Sequence, residues 1–136
     1  MSTENTTTET TFADLGVPAP LVQALTVDGL THPFPIQVQT LPDTLAGRDV
    51  LGRGKTGSGK TLAFSIPLVA RLAQHKRVPG RPAGLVLAPT RELATQITAT
   101  LTPLAGAYGL TVTTIFGGVP QSRQERALKA GVDIVV

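Results

Sequence analysis

One stretch constrains this chain more than any other: Gly54-Lys55-Thr56-Gly57-Ser58-Gly59-Lys60-Thr61. It satisfies the pattern G-x-x-x-x-G-K-[ST] in full. That pattern becomes a site only between a strand and a helix, and both are foreshadowed. Asp49 to Arg53 reads as a short buried strand, and Leu62 to Ile66 opens a helix. Glycines let successive backbone N–H groups point into one concavity, where they hold phosphate oxygens. The helix start adds free N–H groups and the positive end of its dipole. At these offsets Lys60 reaches the β and γ phosphates, and Thr61 holds a magnesium ion. The plain alternative is a glycine-rich connection, and the lysine and hydroxyl at the right offset argue against it.

Around this loop, strands and helices alternate. Strands are expected at 49–53, 84–88, 110–116 and 132–136. Helices are expected from Pro20 to Asp28, ended by Gly29, and from Pro35 to near Gly47, with Pro42 as a kink or break. A third runs from Lys60 to about Gln74, with Leu62, Ile66, Val69 and Ala73 as its apolar stripe and Pro67 as a second interruption. The last two are Arg91 to about Ala105, capped by Thr90, and Val119 to Lys129. Such alternation gives an α/β fold with a parallel sheet covered on both faces. Met1 to Thr11 has no apolar periodicity and reads as a disordered tail, so the domain is expected to span 12–136. His75 to Pro82 is a basic loop broken by Pro and Gly.

Charge adds a hint about partners. Residues 1–70 carry four Lys/Arg against six Asp/Glu, whereas residues 71–136 carry eight against three. A basic second half suits a nucleic-acid backbone, and equally suits ordinary surface charge. The chain has no cysteine, which excludes disulfides and thiolate metal sites. No apolar run is long enough to span a bilayer, and the N-terminus lacks the order of a signal peptide. A cytoplasmic protein without a membrane partner is the expectation.

Four blocks in order resemble the N-terminal part of a DEAD-box RNA helicase. Gly29-Leu30-Thr31-His32-Pro33-Phe34-Pro35-Ile36-Gln37 is similar to the family's adenine-reading Q motif, with Phe12 seventeen residues upstream of Gly29 as its isolated aromatic. The resemblance implies that Gln37 matches the N6 and N7 edge of adenine and that Phe12 offers a stacking face. Residues 54–61 are the second block. Pro89-Thr90-Arg91-Glu92-Leu93-Ala94 is the third, and it implies RNA phosphate contacts through the Thr90 hydroxyl and the Arg91 guanidinium. Gly117-Gly118 is the fourth, where bare backbone admits an RNA phosphate. As a whole the resemblance implies an incomplete RecA-like P-loop NTPase domain that uses ATP and magnesium to open short RNA duplexes. Lys60 and Thr61 are its catalytic pair.

Two positions depart from the family pattern. Gly54 stands where the family usually has Ala, and Phe34 stands where it places Ser or Thr. Phe34 falls on the helix cap before Pro35, where a phenyl ring cannot accept the hydrogen bond that a hydroxyl would. The Asp-Glu-Ala-Asp block and the second domain that the resemblance implies are absent from these 136 residues. Nucleotide binding without useful turnover is therefore expected of this chain, along with unpaired apolar edges at Val50-Leu51 and Leu85-Val86-Leu87. Asp133 enters a strand instead of leaving one, so it does not stand in for the missing acid. The rival readings are another phosphate-loop ATPase, such as a DNA helicase, and a non-catalytic fragment that binds nucleotide or RNA weakly.

Overall fold

A computed structural model of the chain describes residues 9–76, 78 and 80–136. Most of the expected tail, together with Arg77 and Pro79 of the basic loop, lies outside the described residues. Helix α1 spans Ala19–Val27, α2 spans Pro35–Leu45 and α3 spans Lys60–Leu72. Strand β1 (Gly84–Leu85), helix α4 (Arg91–Gly106), strand β2 (Val112–Thr113), helix α5 (Gln121–Ala130) and strand β3 (Ile134–Val135) come next. The three strands form one parallel sheet in the order β1-β3-β2.

Local chemistry explains most of the boundaries. α1 stops at Gly29, whose φ of 76° lets the chain turn back. The Gly29 N–H then donates to the Thr26 carbonyl and the Leu30 N–H to the Leu25 carbonyl, the paired bonds of a Schellman end. Pro35 opens α2, where its missing N–H costs nothing. The Thr90 hydroxyl accepts from the Leu93 N–H at 3.1 Å and caps α4 as expected.

The core gathers one face from each of four helices and the sheet. Leu21 and Leu25 of α1, Leu41 of α2, Ile66 and Val69 of α3, and Ile97 and Leu101 of α4 are buried with Ile134 of β3. α3 also lies over β1, since a Cβ built on Gly84 would fall 2.8 Å from Leu72 Cδ1. The buried stripe of α3 runs through Ala63, Ile66, Val69 and Ala70, so Ala73 is marginal to it. α5 buries no residue.

The expected strand at 49–53 is not one. That segment has no ladder partner among the described residues, and Leu51 is 99% exposed. Backbone N–H and C=O groups without a neighbouring strand cannot enter a sheet, and apolar side chains there stay in water. Neither proline breaks its helix. Pro42 and Pro67 lie inside continuous helices. An interior proline costs about 3 kcal/mol, and burial of Leu41 beside Pro42, and of Pro67 itself with Ile66, offsets it. Residues just before Phe12 are tied to the rest of the chain. Glu9 lies 3.2 Å from His32, and Thr11 and Asp14 exchange backbone-to-side-chain bonds of 2.9 and 3.2 Å. The Thr11 N–H, and then its hydroxyl, hold the Asp14 carboxyl below its ordinary range.

Of the two expected apolar edges, the one at Leu85-Val86-Leu87 is present, whereas Val50 and Leu51 are exposed on a segment that is not a strand. Leu85 is 67% exposed and Leu87 84% exposed, beyond the single strand that β1 pairs with. An uncovered edge with apolar side chains invites association. Leu87→Lys is expected to reduce concentration-dependent self-association in sedimentation velocity. It should change folding stability by less than about 0.5 kcal/mol, as for a surface position. Unchanged association would place the sticky surface elsewhere.

Candidate functional site

The loop of 54–61 leads directly into α3, with Lys60 as the first helical residue. Gly57 and Gly59 have φ of 81° and 86°, a region in which only glycine sits without strain. These two turns bend the backbone around a concavity at the helix start. The Lys60 ammonium lies within it, donating to the Gly54 carbonyl at 2.6 Å. Thr61 is half-buried in the first turn. The Ser58 hydroxyl is buried without a hydrogen-bond partner. It takes the room that Gly54 leaves free, because a Cβ on Gly54 would lie 2.6 Å from Ser58 Oγ. Lys55 and Thr56 are exposed on the rim. An open cleft of about 1220 Å³ borders the loop and is lined by Phe34, Thr56, Gly59, Lys60 and Thr61 and by apolar groups such as Leu51 and Leu87.

Gln37 reaches the loop from α2. It is 1% exposed, its Oε1 accepts from the Phe34 N–H at 2.9 Å, and its Nε2 donates to the Gly59 carbonyl at 2.9 Å. One amide thus ties the start of α2 to the end of the loop. Phe12 is not placed as the resemblance implied. It is 2% exposed and belongs to the core cluster with Leu21 and Leu25, so its ring has no free face for a base. The reciprocal Thr11–Asp14 bonds fold the chain into the turn that carries the ring inward.

The third and fourth blocks meet in space. The Arg91 guanidinium lies 4.8 Å from the centroid of the Phe116 ring, immediately before Gly117-Gly118. Such a cation–π contact holds the guanidinium over the ring while its N–H groups keep access to solvent. Thr90 spends its acceptor on the α4 cap, and its own O–H is unconstrained by that bond. Gln124 was not singled out by the sequence, yet it holds this loop: its Oε1 accepts from the Phe116 N–H at 2.9 Å and its Nε2 donates to the Val119 carbonyl at 3.2 Å. The available signal was a glutamine one turn into the helix after a Gly-Gly pair. Asp133 is bound to Thr111, whose N–H donates to its carboxylate at 2.8 Å, so it sits at the entry of β3, away from the strand exit.

A family model described as DEAD/DEAH box helicase matches residues 34–136. The chain belongs to this family. A DEAD-box relative from Klebsiella pneumoniae, the ATP-dependent RNA helicase DeaD, is 49% identical over 94% of this chain and 20% of its own length. The ATP-dependent RNA helicase RhlB of Sodalis glossinidius is 45% identical over 95% of this chain and 32% of its own. Among solved structures, the RNA helicase Prp28 from Chaetomium thermophilum bound to ADP superposes with a TM-score of 0.83 and 37% identity, over 93% of this chain and 31% of that one. A DEAD box protein from Methanococcus jannaschii gives a TM-score of 0.80 and 28% identity, over 93% of this chain and 34% of that one. This DEAD-box chain therefore spans between about a fifth and a third of the length of these relatives. Its parallel sheet and flanking helices are an incomplete RecA-like domain.

Proposed function

We propose that residues 12–136 are part of the ATP-binding domain of an RNA helicase. In this reading the loop of 54–61 holds ATP and magnesium, and Thr90, Arg91, Gly117 and Gly118 hold an RNA backbone. One observation carries it: two left-handed glycines bend the loop into the start of α3, with the Lys60 ammonium inside the bend.

The residues present fit a triphosphate. The first turn of α3 offers unspent N–H groups, Lys60 offers a mobile cation, and the Ser58 hydroxyl lacks a partner within the loop. Thr61 adds a hydroxyl oxygen, a hard donor of the kind magnesium prefers. Magnesium, when bound, neutralises charge on the phosphate oxygens. Lys60 exchanges its neutral carbonyl partner for an anionic one, a stronger hydrogen bond. Gln37 has one N–H and one lone pair beyond the two bonds it makes, the pair that an adenine edge requires, and because the amide is 1% exposed it must turn outward to present them. Arg91 and the bare Gly117-Gly118 backbone supply non-specific phosphate contacts. A cytoplasmic location belongs to the same proposal. Among the described residues no helix is long and apolar enough to cross a membrane.

Titration with a fluorescent ATP analogue tests the proposal. Binding should be saturable and magnesium-dependent, and ATP should compete better than GTP by about tenfold, the worth of two neutral hydrogen bonds. Equal competition by GTP would remove the adenine reading. Absence of magnesium-dependent binding would overturn the proposal as a whole.

A further inference from the structure

Phe34 is the N-cap of α2, with φ −73° and ψ 160° and no side-chain hydrogen bond at the cap. Its ring is 53% exposed, yet it is not idle surface. A Cβ built on Gly59 would lie 2.6 Å from Phe34 Cδ2 and 2.5 Å from Gln37 Nε2. The ring edge and the amide together fill the volume that a side chain at 59 would need. Gln37 makes the polar half of this contact, through the Gly59 carbonyl. Phe34 makes the apolar half.

We propose that Phe34 is a positioning residue for the phosphate loop. Its ring braces Gly59, and the brace keeps the N–H groups at the start of α3 aimed at one point. This role rests on the nucleotide reading of residues 54–61. Gly59 occupies a left-handed conformation without a side chain of its own to restrict it. A ring packed against it removes alternative conformations before any ligand arrives. Freedom already lost in the free protein is not lost again on binding. Phe34 is thus poor as a cap and useful as a brace, and the two roles respond to one substitution with opposite signs.

Phe34→Thr separates them, with Phe34→Leu as the variant that keeps bulk without an acceptor. Three readouts apply to the 136-residue chain: the melting midpoint, affinity for inorganic tripolyphosphate with magnesium, and amide exchange at Ala63, whose N–H donates to the Gly59 carbonyl at 3.2 Å. Threonine should raise the midpoint by about 4 °C, as a restored cap does in a domain of this size. It should weaken tripolyphosphate binding by about tenfold, the weight of ordering one backbone residue, and speed exchange at Ala63. Leucine should leave affinity and exchange near their original values. Tripolyphosphate has no base, so a loss of its binding cannot come from lost base stacking. Unchanged or tighter tripolyphosphate binding by the threonine variant, or unchanged exchange at Ala63, overturns the brace. A fall in midpoint and affinity together also overturns it, because Phe34 would then be an ordinary core residue. A native chain that ignores tripolyphosphate overturns the nucleotide reading and this one with it. Normal binding by the native chain with an unaffected threonine variant overturns this one alone.

Discussion

Lys60→Ala is expected to abolish measurable magnesium-dependent ATP binding and to leave the fold intact. The Lys60 side chain is exposed, and its ammonium bonds to a single neutral carbonyl, that of Gly54. Losing that bond costs the free protein little, since water replaces it. Alanine is also the better helix former at this position in α3. The loss falls on the bound state. Removing one partner of a desolvated charge pair costs about 2–5 kcal/mol, at least thirtyfold in affinity. Circular dichroism should give an unchanged melt, and fluorescent-nucleotide titration should give no saturation. A variant that binds as well as the original protein would sink the assignment of residues 54–61 as the phosphate site.

Gln37→Ala is expected to damage both stability and binding. The amide is buried and spans from the Phe34 N–H to the Gly59 carbonyl. Truncation leaves the Phe34 N–H without its acceptor and a void where the amide packed. The bond is part-buried, so the donor left behind costs near the low end of the about 1–3 kcal/mol for an unsatisfied group, and the void left by the buried amide adds the rest. A loss of about 3 kcal/mol lowers the midpoint by about 10 °C in a chain of this size. Affinity falls further, because α2 no longer fastens the loop. Gln37→Glu is a sharper probe, since it keeps the acceptor for Phe34 but turns an oxygen toward the Gly59 carbonyl. It should be at least as destabilising as alanine near pH 7. A Gln37→Ala melt within about 2 °C of the original would mean that the amide is solvated.

Local chemistry was the legible part of the sequence. Gly29 ends α1, Pro35 starts α2 and Thr90 caps α4, because each effect acts within four residues of the position that carries it. The bend at Gly57 and Gly59 was legible for the same reason. Features that depend on distant partners escaped. Phe12 is buried in the one core cluster that α1, α2, α3, α4 and β3 build together, and its spacing from Gly29 says nothing about that. Residues 49–53 have the composition of a strand, but strand formation needs a neighbour. Pro42 and Pro67 carry a fixed local penalty that tertiary burial outweighs. The bond from Gln37 to the Gly59 carbonyl, with the Phe34 ring in the space that a side chain at 59 would need, joins two blocks that the sequence presents as independent. Arg91 and Phe116 are joined in the same way.

The strand order has a consequence for when this sheet can assemble. β3 lies between β1 and β2, yet it is the last of the three in the chain. Gly84 must wait for Ile134, about fifty residues later, and Val112 waits for the same residue. During synthesis, β1 and β2 therefore leave the ribosome before the strand that joins them. Non-local pairing of this kind slows folding and prolongs exposure of open edges. Until Ile134 and Val135 emerge, β1 and β2 have no strand to pair with, and Leu85 and Leu87 are exposed apolar groups open to capture by other chains in that interval.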